Sequence, residues 1–243
     1  MAAADTRPVD ALIAQARAMP PARPFGAALA GGDRLAVISE IKRRSPSKGD
    51  LAPDLDPAAL AARYAAGGAA CLSVLTDVEF FGGSVADLQA ARAACDLPVL
   101  RKDFTVCPAD VCDARLMGAD CVLLIVAALA AEEVVELHRL AVDVGLDVLV
   151  EIHDEPELDV AVQAGAMQIG VNQRDLVTFQ VDHARAERMA ALIPSGIGRV
   201  AESGVRDGDD ARRLRAAGYD AVLVGETLVT APDPAAAIAS LRN

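Results

Sequence analysis

The sequence predicts an α/β protein that forms a single (β/α)8 barrel, a TIM barrel, with a short N-terminal helical extension. Three observations support this fold class. Eight short apolar runs recur after residue 36, Ala-rich amphipathic stretches alternate with them, and 243 residues suit one domain of this kind. Near-continuous Val, Ile and Leu runs are typical of parallel strands covered on both faces. We expect residues 1–36 to form an extension that packs on the barrel, and residues 37–243 to form the barrel.

Two helices are expected in the extension, from VDALIAQARAMP and FGAALAGG, because PPARP between them breaks the chain. The predicted strands then follow in chain order: VISEIK (37–42), CLSVLTD (71–77), PVLRKD (98–103), CVLLIV (121–126), DVLVEI (147–152), MQIGVN (167–172), RVAES (199–203) and AVLVGE (221–226).

The stretches between the strands carry helix start and stop signals. Asp54, Asp56 and Pro57 form a polar helix entry with proline at the first helical position. Glycine follows the last periodic residue of several stretches, as it follows many helices: Gly67, Gly118, Gly145, Gly165 and Gly218. A doubly wound open sheet usually has fewer strands and a glycine-rich first turn, whereas the first turn here is RRSPSKG. The barrel is therefore favoured.

Composition excludes several classes of function. A net charge of −12 argues against a nucleic-acid partner, although a small anion can still bind in a local cationic pocket. No apolar run approaches the roughly 18–20 residues of a membrane helix, so a soluble protein without a signal peptide is expected. Five cysteines without a C-x-x-C pair indicate reduced thiols and a cytoplasmic location. The three histidines lack metal-ligand spacing, so no metal is expected.

Polar residues end most of the predicted strands. In a TIM barrel these C-terminal ends meet at one mouth, where the active site lies. Stability alone does not explain charges at the last apolar positions of six strands, so the pattern predicts an active site. The strand-end residues are Glu40, Lys42, Asp77, Lys102, Asp103, Glu151, Asn172, Arg174, Glu202, Ser203, Gly225 and Glu226.

The placement of lysine points to proton chemistry. The chain has twenty arginines but only three lysines, and Lys42 and Lys102 both stand at predicted strand ends. Arginine does not readily release a proton, whereas lysine can be tuned toward proton transfer. Lys48 lies further along the first loop, where a solvated cation is the simpler interpretation.

Four of the five phenylalanines follow strands at the same mouth: Phe80, Phe81, Phe104 and Phe179. They predict an apolar pocket for an aromatic substrate, the alternative being loop residues that close a barrel end. SGV (203–205) and VGE (224–226) follow strands seven and eight, where many barrels bind phosphate through backbone N–H groups.

Several long stretches resemble the indole-3-glycerol phosphate synthase family, over about residues 24 to 240: ISEIKRRSPSKG, LSVLTDVEFFGGS, LPVLRKDF, VLLIVAAL, LVEIHDE, IGVNQRDLVTF, AESGV and VLVGETL. That family closes the pyrrole ring of 1-(2-carboxyphenylamino)-1-deoxyribulose 5-phosphate, with loss of carbon dioxide and water and without cofactor or metal. The resemblance implies that the partner is this small anionic aromatic sugar phosphate. We expect a monomer.

The resemblance also implies roles for individual residues. Lys102 would be the general acid and Glu151 the base of the dehydration, while Lys42 would hold the substrate carboxylate and could share the acid role. Further roles in holding lysines and hydroxyls would fall to Glu40, Asn172, Glu202, Arg174 and Ser203. Phosphate would meet Arg44, Gly204, Gly225 and Glu226. The aromatic ring would be enclosed by Phe104, Leu123, Leu149, Leu176 and Phe179, with Ser45, Pro46 and Phe80 nearby.

Two departures from the family pattern lie outside the strand ends. The N-terminal extension is short and lacks a helix common in the family, and the third barrel helix reads CPADVCDAR where an aromatic pair often occurs. Three rival interpretations remain at this stage. They are a related phosphate-binding barrel such as phosphoribosylanthranilate isomerase, a Schiff-base aldolase that uses Lys102, and a non-catalytic barrel subunit.

Overall fold

Eight parallel strands close a barrel in the computed structural model, which describes residues 7–30 and 32–242. Each strand pairs with its neighbours along the chain, and the last pairs with the first. The predicted (β/α)8 fold is therefore confirmed. The strands are β1 (Ala36–Ile41), β2 (Cys71–Leu75), β3 (Val99–Lys102), β4 (Cys121–Ile125), β5 (Asp147–Ile152), β6 (Gln168–Asn172), β7 (Gly198–Glu202) and β8 (Ala221–Val224).

Helices alternate with the strands and cover the outside of the barrel. They are α1 (Val9–Arg17), α2 (Phe25–Leu29), α3 (Pro57–Ala66), α4 (Val85–Ala94), α5 (Pro108–Leu116), α6 (Ala131–Asp143), α7 (Glu155–Gln163), α8 (Arg185–Ala190), α9 (Gly208–Ala216), α10 (Glu226–Val229) and α11 (Pro234–Leu241). A short ribbon pairs Arg44–Ser45 with Gly49–Asp50 in the first loop.

The predicted entry to α3 is observed, since the Asp56 side chain accepts hydrogen bonds from the N–H groups of Ala58 and Ala59 at 2.9 and 3.2 Å. The predicted exit is observed as well, since Gly67 directly follows the last helical residue, Ala66, as the C-cap. The next residue, Gly68, has a left-handed φ of 84°. A Cβ is disfavoured in that conformation, so glycine suits the end of this helix.

The two helices of the predicted extension pack in different places. Leu12 and Ala16 of α1 join the core between strands and helices. Phe25 and Leu29 of α2 join the apolar cluster inside the barrel, with inward-facing residues such as Ile38. Division of the chain at residue 36 remains a prediction, and residues 1–6 and 31 of the extension and residue 243 of the barrel lie outside the described residues.

Helix α2 closes the N-terminal end of the barrel. The Gly26 N–H donates to Asp147 Oδ2 at 2.8 Å, at the start of β5, and the Arg23 N–H donates to Asp120 Oδ1 at 2.7 Å, just before β4. The opposite end is left for polar side chains. One local reason is Gly170 of β6, which faces inward, since a Cβ there would overlap the Glu202 carboxylate.

Candidate active site

Four predicted residues from β3, β5, β6 and β7 meet inside the mouth of the barrel. Lys102 Nζ lies 3.0 Å from Glu151 Oε2 and 3.6 Å from Glu202 Oε2. Asn172 Nδ2 donates to Glu151 Oε1 at 2.8 Å. The side chains of Glu151 and Glu202 are only 1% and 2% exposed, so the ammonium group is held between two carboxyl groups away from bulk water. This arrangement can supply one acid and one base at the same point.

The pKa values of Glu151 and Glu202 are shifted in opposite directions by their surroundings. Burial acts to raise the pKa of Glu151, but the Lys102 charge, the Asn172 hydrogen bond and His153 outweigh it, so the pKa lies below its ordinary value. Burial, followed by the neighbouring Glu151 carboxylate, raises the pKa of Glu202 well above its ordinary value. Two carboxyl groups with separated affinities for protons are a recurrent feature of acid–base sites.

Lys102 is held in its charged form. Burial alone would lower the pKa of this ammonium group, but the carboxylates of Glu151, Glu202 and Glu40 together outweigh burial and raise it. A protonated amine can donate a proton or a hydrogen bond to a substrate oxygen, whereas it cannot act as a nucleophile.

A second ion pair lies at the end of β1. Lys42 Nζ is 2.5 Å from Glu40 Oε1, and both side chains are largely buried. The pair lies against Gly225, just after β8, where an added Cβ would stand 2.7 Å from Lys42 Nζ and overlap the Glu40 carboxylate. Glycine at this position therefore leaves the space that the pair occupies. Lys42 and Lys102 enter the mouth from separate strands, as the sequence predicted.

The loops after β7 and β8 present free backbone N–H groups. Ser203 and Gly204 have left-handed φ values of 63° and 75°. The N–H groups of Ser203, Gly204, Gly225 and Glu226 donate no hydrogen bond within the described part of the chain. Consecutive amides of this kind can bind an anion. Gly204 is also sterically required, since a Cβ would lie 2.6 Å from Val181 Cγ1.

The first loop reaches this region through one contact. Lys48 Nζ lies 3.6 Å from Glu226 Oε1, where α10 begins. Arg44, predicted to meet phosphate, instead donates to the Val78 carbonyl at 3.2 Å, in the loop after β2. Ser45 pairs with Gly49 in the ribbon, and Pro46 at its turn is exposed.

The predicted ring-binding residues divide into two groups. Phe80, Phe104, Leu176 and Phe179 lie in loops at the mouth and are 41–50% exposed, an unusual state for large apolar side chains. Leu123 and Leu149 are fully buried in the apolar cluster of the barrel interior. Leu149 precedes Glu151 by two positions on the same inward face of β5, so it lies below the carboxylates as part of the floor.

Some strand-end residues do not enter the site. Asp77 accepts hydrogen bonds from the N–H groups of Phe80 and Phe81, and Asp103 pairs with Arg101 at 3.0 Å. The position of Asp103 follows from alternation, since it is next to the inward-facing Lys102, whereas Asp77 lies beyond the end of β2, where a turn sets its direction. The prediction that every strand-end charge converges on the mouth was therefore wrong for these two. Arg174 donates to the Phe179 carbonyl at 3.0 Å and thereby closes the loop after β6.

His153 and Arg43 have contacts that the sequence analysis missed. His153 lies two positions after Glu151, so strand alternation could have placed it on the same face. Its Nε2 is 3.8 Å from Glu151 Oε1. Arg43 pairs with Asp87 of α4 and donates to the Leu55 carbonyl at 3.2 Å, so it braces the first loop. No sequence pattern links Arg43 to Asp87, which is 44 positions away.

Two features are absent from the described residues, a metal-binding cluster and a membrane-spanning helix. No three histidine, cysteine, aspartate or glutamate side chains are grouped so that they could hold a metal ion. No helix among residues 7–30 and 32–242 has the length and hydrophobicity to cross a membrane.

Comparison with known proteins identifies the family. The family model for indole-3-glycerol phosphate synthase matches residues 1–241. A relative of that name from Leifsonia xyli is 51% identical over 237 residues, which cover 98% of this chain and 91% of the relative. Another from Streptomyces griseus is 55% identical over 216 residues, covering 89% and 80%.

Among solved structures, 3-hexulose-6-phosphate synthase from Salmonella typhimurium has a TM-score of 0.66 at 14% identity and covers 85% of this chain and 96% of its own. This likeness concerns the fold alone. Together with the match of the family model over nearly the whole sequence, the relatives establish the family: this chain belongs to the indole-3-glycerol phosphate synthases.

Proposed function

We propose that this protein is a carboxy-lyase that converts 1-(2-carboxyphenylamino)-1-deoxyribulose 5-phosphate to indole-3-glycerol phosphate, with release of carbon dioxide and water. The observation that carries the proposal is the ammonium group of Lys102 between two buried carboxyl groups, at 3.0 Å from Glu151 and 3.6 Å from Glu202. Ring closure needs an acid at the ribulose carbonyl, and the later dehydration needs an acid and a base.

The roles follow from the protonation states. Lys102, held charged, donates a proton to the carbonyl oxygen as the ring carbon attacks. Glu151, held ionised, removes the proton that leaves in the dehydration. Asn172 fixes one oxygen of Glu151 through the 2.8 Å hydrogen bond. Glu202, with its raised pKa, holds Lys102 and interacts with a substrate hydroxyl.

Lys42 holds the carboxylate that departs as carbon dioxide. The Lys42–Glu40 pair is compact and largely buried, and it stands on a strand that closes the barrel beside β8. A substrate carboxylate would replace or share the Glu40 contact, which keeps the cation from being left unpaired. Ser203 and Arg174 support the substrate from the loops after β7 and β6.

The phosphate and the aromatic ring of the substrate each have a suitable binding surface at the mouth. The free amides of Ser203, Gly204, Gly225 and Glu226 suit the phosphate, with Arg44 as a further cation at the mouth. The exposed rings of Phe80, Phe104 and Phe179, with Leu176 and Pro46, suit the aromatic ring, and Ser45 lies beside them. Leu123 and Leu149 complete the apolar floor.

We also propose that the protein acts as a cytoplasmic monomer, with residues 1–36 as an extension of the barrel. Acid, base and carboxylate-binding groups all come from one chain, and the five cysteines are free thiols. No second function is favoured. A Schiff-base aldolase would require Lys102 as a neutral amine, which its raised pKa opposes, so borohydride should trap no adduct.

The direct test is to supply the carboxyphenylamino substrate and follow indole fluorescence. The wild-type protein should turn over, and Lys102→Ala should lose at least about a hundredfold in kcat, the low end for one general acid. Lys48→Ala, which removes the exposed lysine of the first loop, is the matched control and should keep kcat. Turnover by Lys102→Ala within about tenfold of wild type would overturn the assignment.

A second measurement tests the cofactor-free proposal. Activity should survive exhaustive dialysis against EDTA, because acid, base and cation are all supplied by side chains. Loss of turnover that zinc or magnesium restores would contradict it.

A further inference from the structure

His153 stands behind the proposed base, between two carboxylates. Its backbone N–H donates to Glu157 Oε2 at 2.6 Å, and its Nδ1 lies 3.1 Å from the same oxygen. Its Nε2 is 3.8 Å from Glu151 Oε1. The side chain is 12% exposed, and Nε2 is buried without a hydrogen-bond partner within the described residues. A buried polar atom without a partner is costly, so its position calls for an explanation.

The orientation of the ring is fixed by Glu157. A carboxylate only accepts hydrogen bonds, so Nδ1 carries the proton that faces Glu157. Nε2 is then directed at Glu151. In the imidazolium form both ring nitrogens carry a proton: Nδ1–H meets Glu157, and Nε2–H faces Glu151 Oε1 at 3.8 Å as an ion-pair contact. In the neutral form a lone pair on Nε2 would face a carboxylate oxygen, which is unfavourable.

We propose that His153 is a positioning residue for Glu151: held by Glu157, it faces Oε1 with Nε2 at 3.8 Å and, through this electrostatic contact, orients the carboxylate and supports its ionised form. Helix capping does not account for this contact. Glu157 caps α7 through the backbone N–H of His153, and any residue at 153 would provide that N–H. The cap does not require an imidazole ring, nor a ring nitrogen that points toward Glu151.

The charges around the ring fit this role. Glu157 faces it from α7 and Glu151 from β5. Lys102 of β3 holds the other oxygen of Glu151, and Glu202 of β7 lies 3.6 Å from the same ammonium group. On β6 the neutral amide of Asn172 donates to Glu151 Oε1, the same oxygen that His153 faces. The carboxyl groups of Glu157 and Glu151 therefore face the ring from two sides, while burial raises the pKa of Glu202 and favours its neutral form.

Replacement of His153 should raise the pKa of Glu151. His153 contributes to the lowered pKa of Glu151, after Lys102 and Asn172. Without the ring, the pKa of Glu151 rises, so the base becomes protonated at a higher pH. The acidic limb of the pH–kcat profile should therefore move to higher pH. Since His153 does not touch substrate, KM should stay constant, while kcat falls about tenfold, a fraction of what one general base contributes.

The experiment compares the wild type with His153→Leu, His153→Gln and Glu157→Gln, the last of which keeps an acceptor for the helix cap but removes the charge. Glu133→Gln is the matched control, because Glu133 makes the same kind of cap on α6, through the Ala130 N–H at 2.8 Å, and within the described residues it has no hydrogen bond or ion pair with Glu151, Lys102 or Glu202. The inference predicts displaced acidic limbs for all three variants and an unchanged limb for the control. If His153→Leu does not fold, the other two profiles decide.

The outcomes separate this inference from the proposed function on which it rests. Turnover by the wild type with unchanged profiles in the His153 variants would overturn the role of His153 alone. Absence of turnover in the wild type would overturn the proposed function, and this role with it. A shift of equal size in Glu133→Gln would assign the effect to helix capping and would also overturn it.

Discussion

At the scale of single residues, Glu151 and Glu202 show how environment gives one side-chain type two roles. Both are buried beside Lys102, but Glu151 also accepts from Asn172, whereas Glu202 Oε1 has no partner among the described residues. Burial of an unsatisfied carboxyl oxygen favours the neutral form. The surroundings of Glu151 therefore favour its ionised form, which can accept a proton. Those of Glu202 favour its protonated form.

Substitution by glutamine should separate these two roles. Glutamine resembles a protonated glutamate in shape and charge, so Glu202→Gln should keep kcat within about tenfold of wild type. Glu151→Gln removes an ionised base and should lose at least about a hundredfold. Steady-state kinetics with the natural substrate measures both. Equal losses would show that the two carboxyl groups are not divided in this way.

Lys42 offers a test of why lysine is used at the end of β1. A compact ammonium can direct one carboxylate oxygen and release it as carbon dioxide leaves, whereas the bidentate grip of arginine stabilises the ground state. The space between Glu40 and Gly225 also restricts a larger group. Lys42→Arg should keep much of the binding but lose kcat.

The control for this substitution is Lys42→Met, which removes the charge at similar length and should raise KM as well. Measuring kcat and KM for both variants distinguishes charge from geometry. Full restoration of kcat by arginine would mean that Lys42 acts only as a charge.

The residues that sequence could identify are those on regular strands. Lys102, Glu151, Asn172 and Glu202 could be placed because alternation and strand order fix which side chains share the barrel interior. Asp77 was misplaced because it lies beyond the end of its strand, where a turn sets its direction. Contacts such as Arg43 with Asp87 depend on the packing of the first loop against α4, which no local pattern encodes.

At the scale of elements, several βα loops are fastened by an acidic residue in the first turn of the next helix. Asp110 accepts from the N–H groups of Val106 and Cys107, and Glu133 from that of Ala130. Asp210 accepts from the Arg206 N–H at 3.0 Å. Each bond satisfies a backbone donor at a helix start and also fixes the loop that follows a strand end. In this way the first turns of these helices fasten the loops after β3, β4 and β7.

Among these acidic residues, Asp210 gives a prediction about how stability depends on pH. The Arg206 hydrogen bond, assisted by Arg213, lowers the pKa of the buried Asp210 to about 2. A carboxyl group whose pKa is lowered by folding stabilises the fold at every pH above its ordinary, unfolded-state pKa. This contribution is lost as the pH falls through that value toward 2. Asp210→Asn should therefore lower the free energy of unfolding at pH 7 by about 2 kcal/mol, and the difference should shrink below about pH 4.

Denaturant unfolding at several pH values measures this difference. The matched control is Asp209→Asn in the same turn, because the Asp209 side chain is 81% exposed. Surface pairs of that kind contribute little, so its effect should stay within about 0.5 kcal/mol. Equal and pH-independent losses in both variants would contradict the role assigned to Asp210.

At the scale of the whole molecule, the barrel has a polar end for chemistry and an apolar end for stability. The strand pattern made this architecture predictable, because eight buried parallel strands leave few alternatives. The position of α2 was not predictable beyond packing on the barrel. Phe25 reaches the barrel interior only because Gly26 and Arg23 bind residues near the starts of β5 and β4, which are distant in sequence.

This polarity predicts opposite effects from the same substitution at the two ends. Phe25 is fully buried at the N-terminal end, whereas Phe104 is 44% exposed at the mouth. Phe25→Ala should lower the free energy of unfolding by about 3–5 kcal/mol, which corresponds to a fall in Tm of roughly 6–20 °C. At temperatures where it remains folded, its kcat and KM should match the wild type, because it is far from the substrate.

Phe104→Ala should weaken substrate binding and leave stability nearly unchanged. Loss of one aromatic contact costs about 1–1.5 kcal/mol of substrate binding, so KM should rise about tenfold while Tm changes little. Calorimetry and steady-state kinetics on the two variants complete the comparison. If Phe104→Ala left KM unchanged, its ring would not enclose the substrate. If Phe25→Ala reduced kcat without reducing Tm, the two ends of the barrel would not divide stability from catalysis.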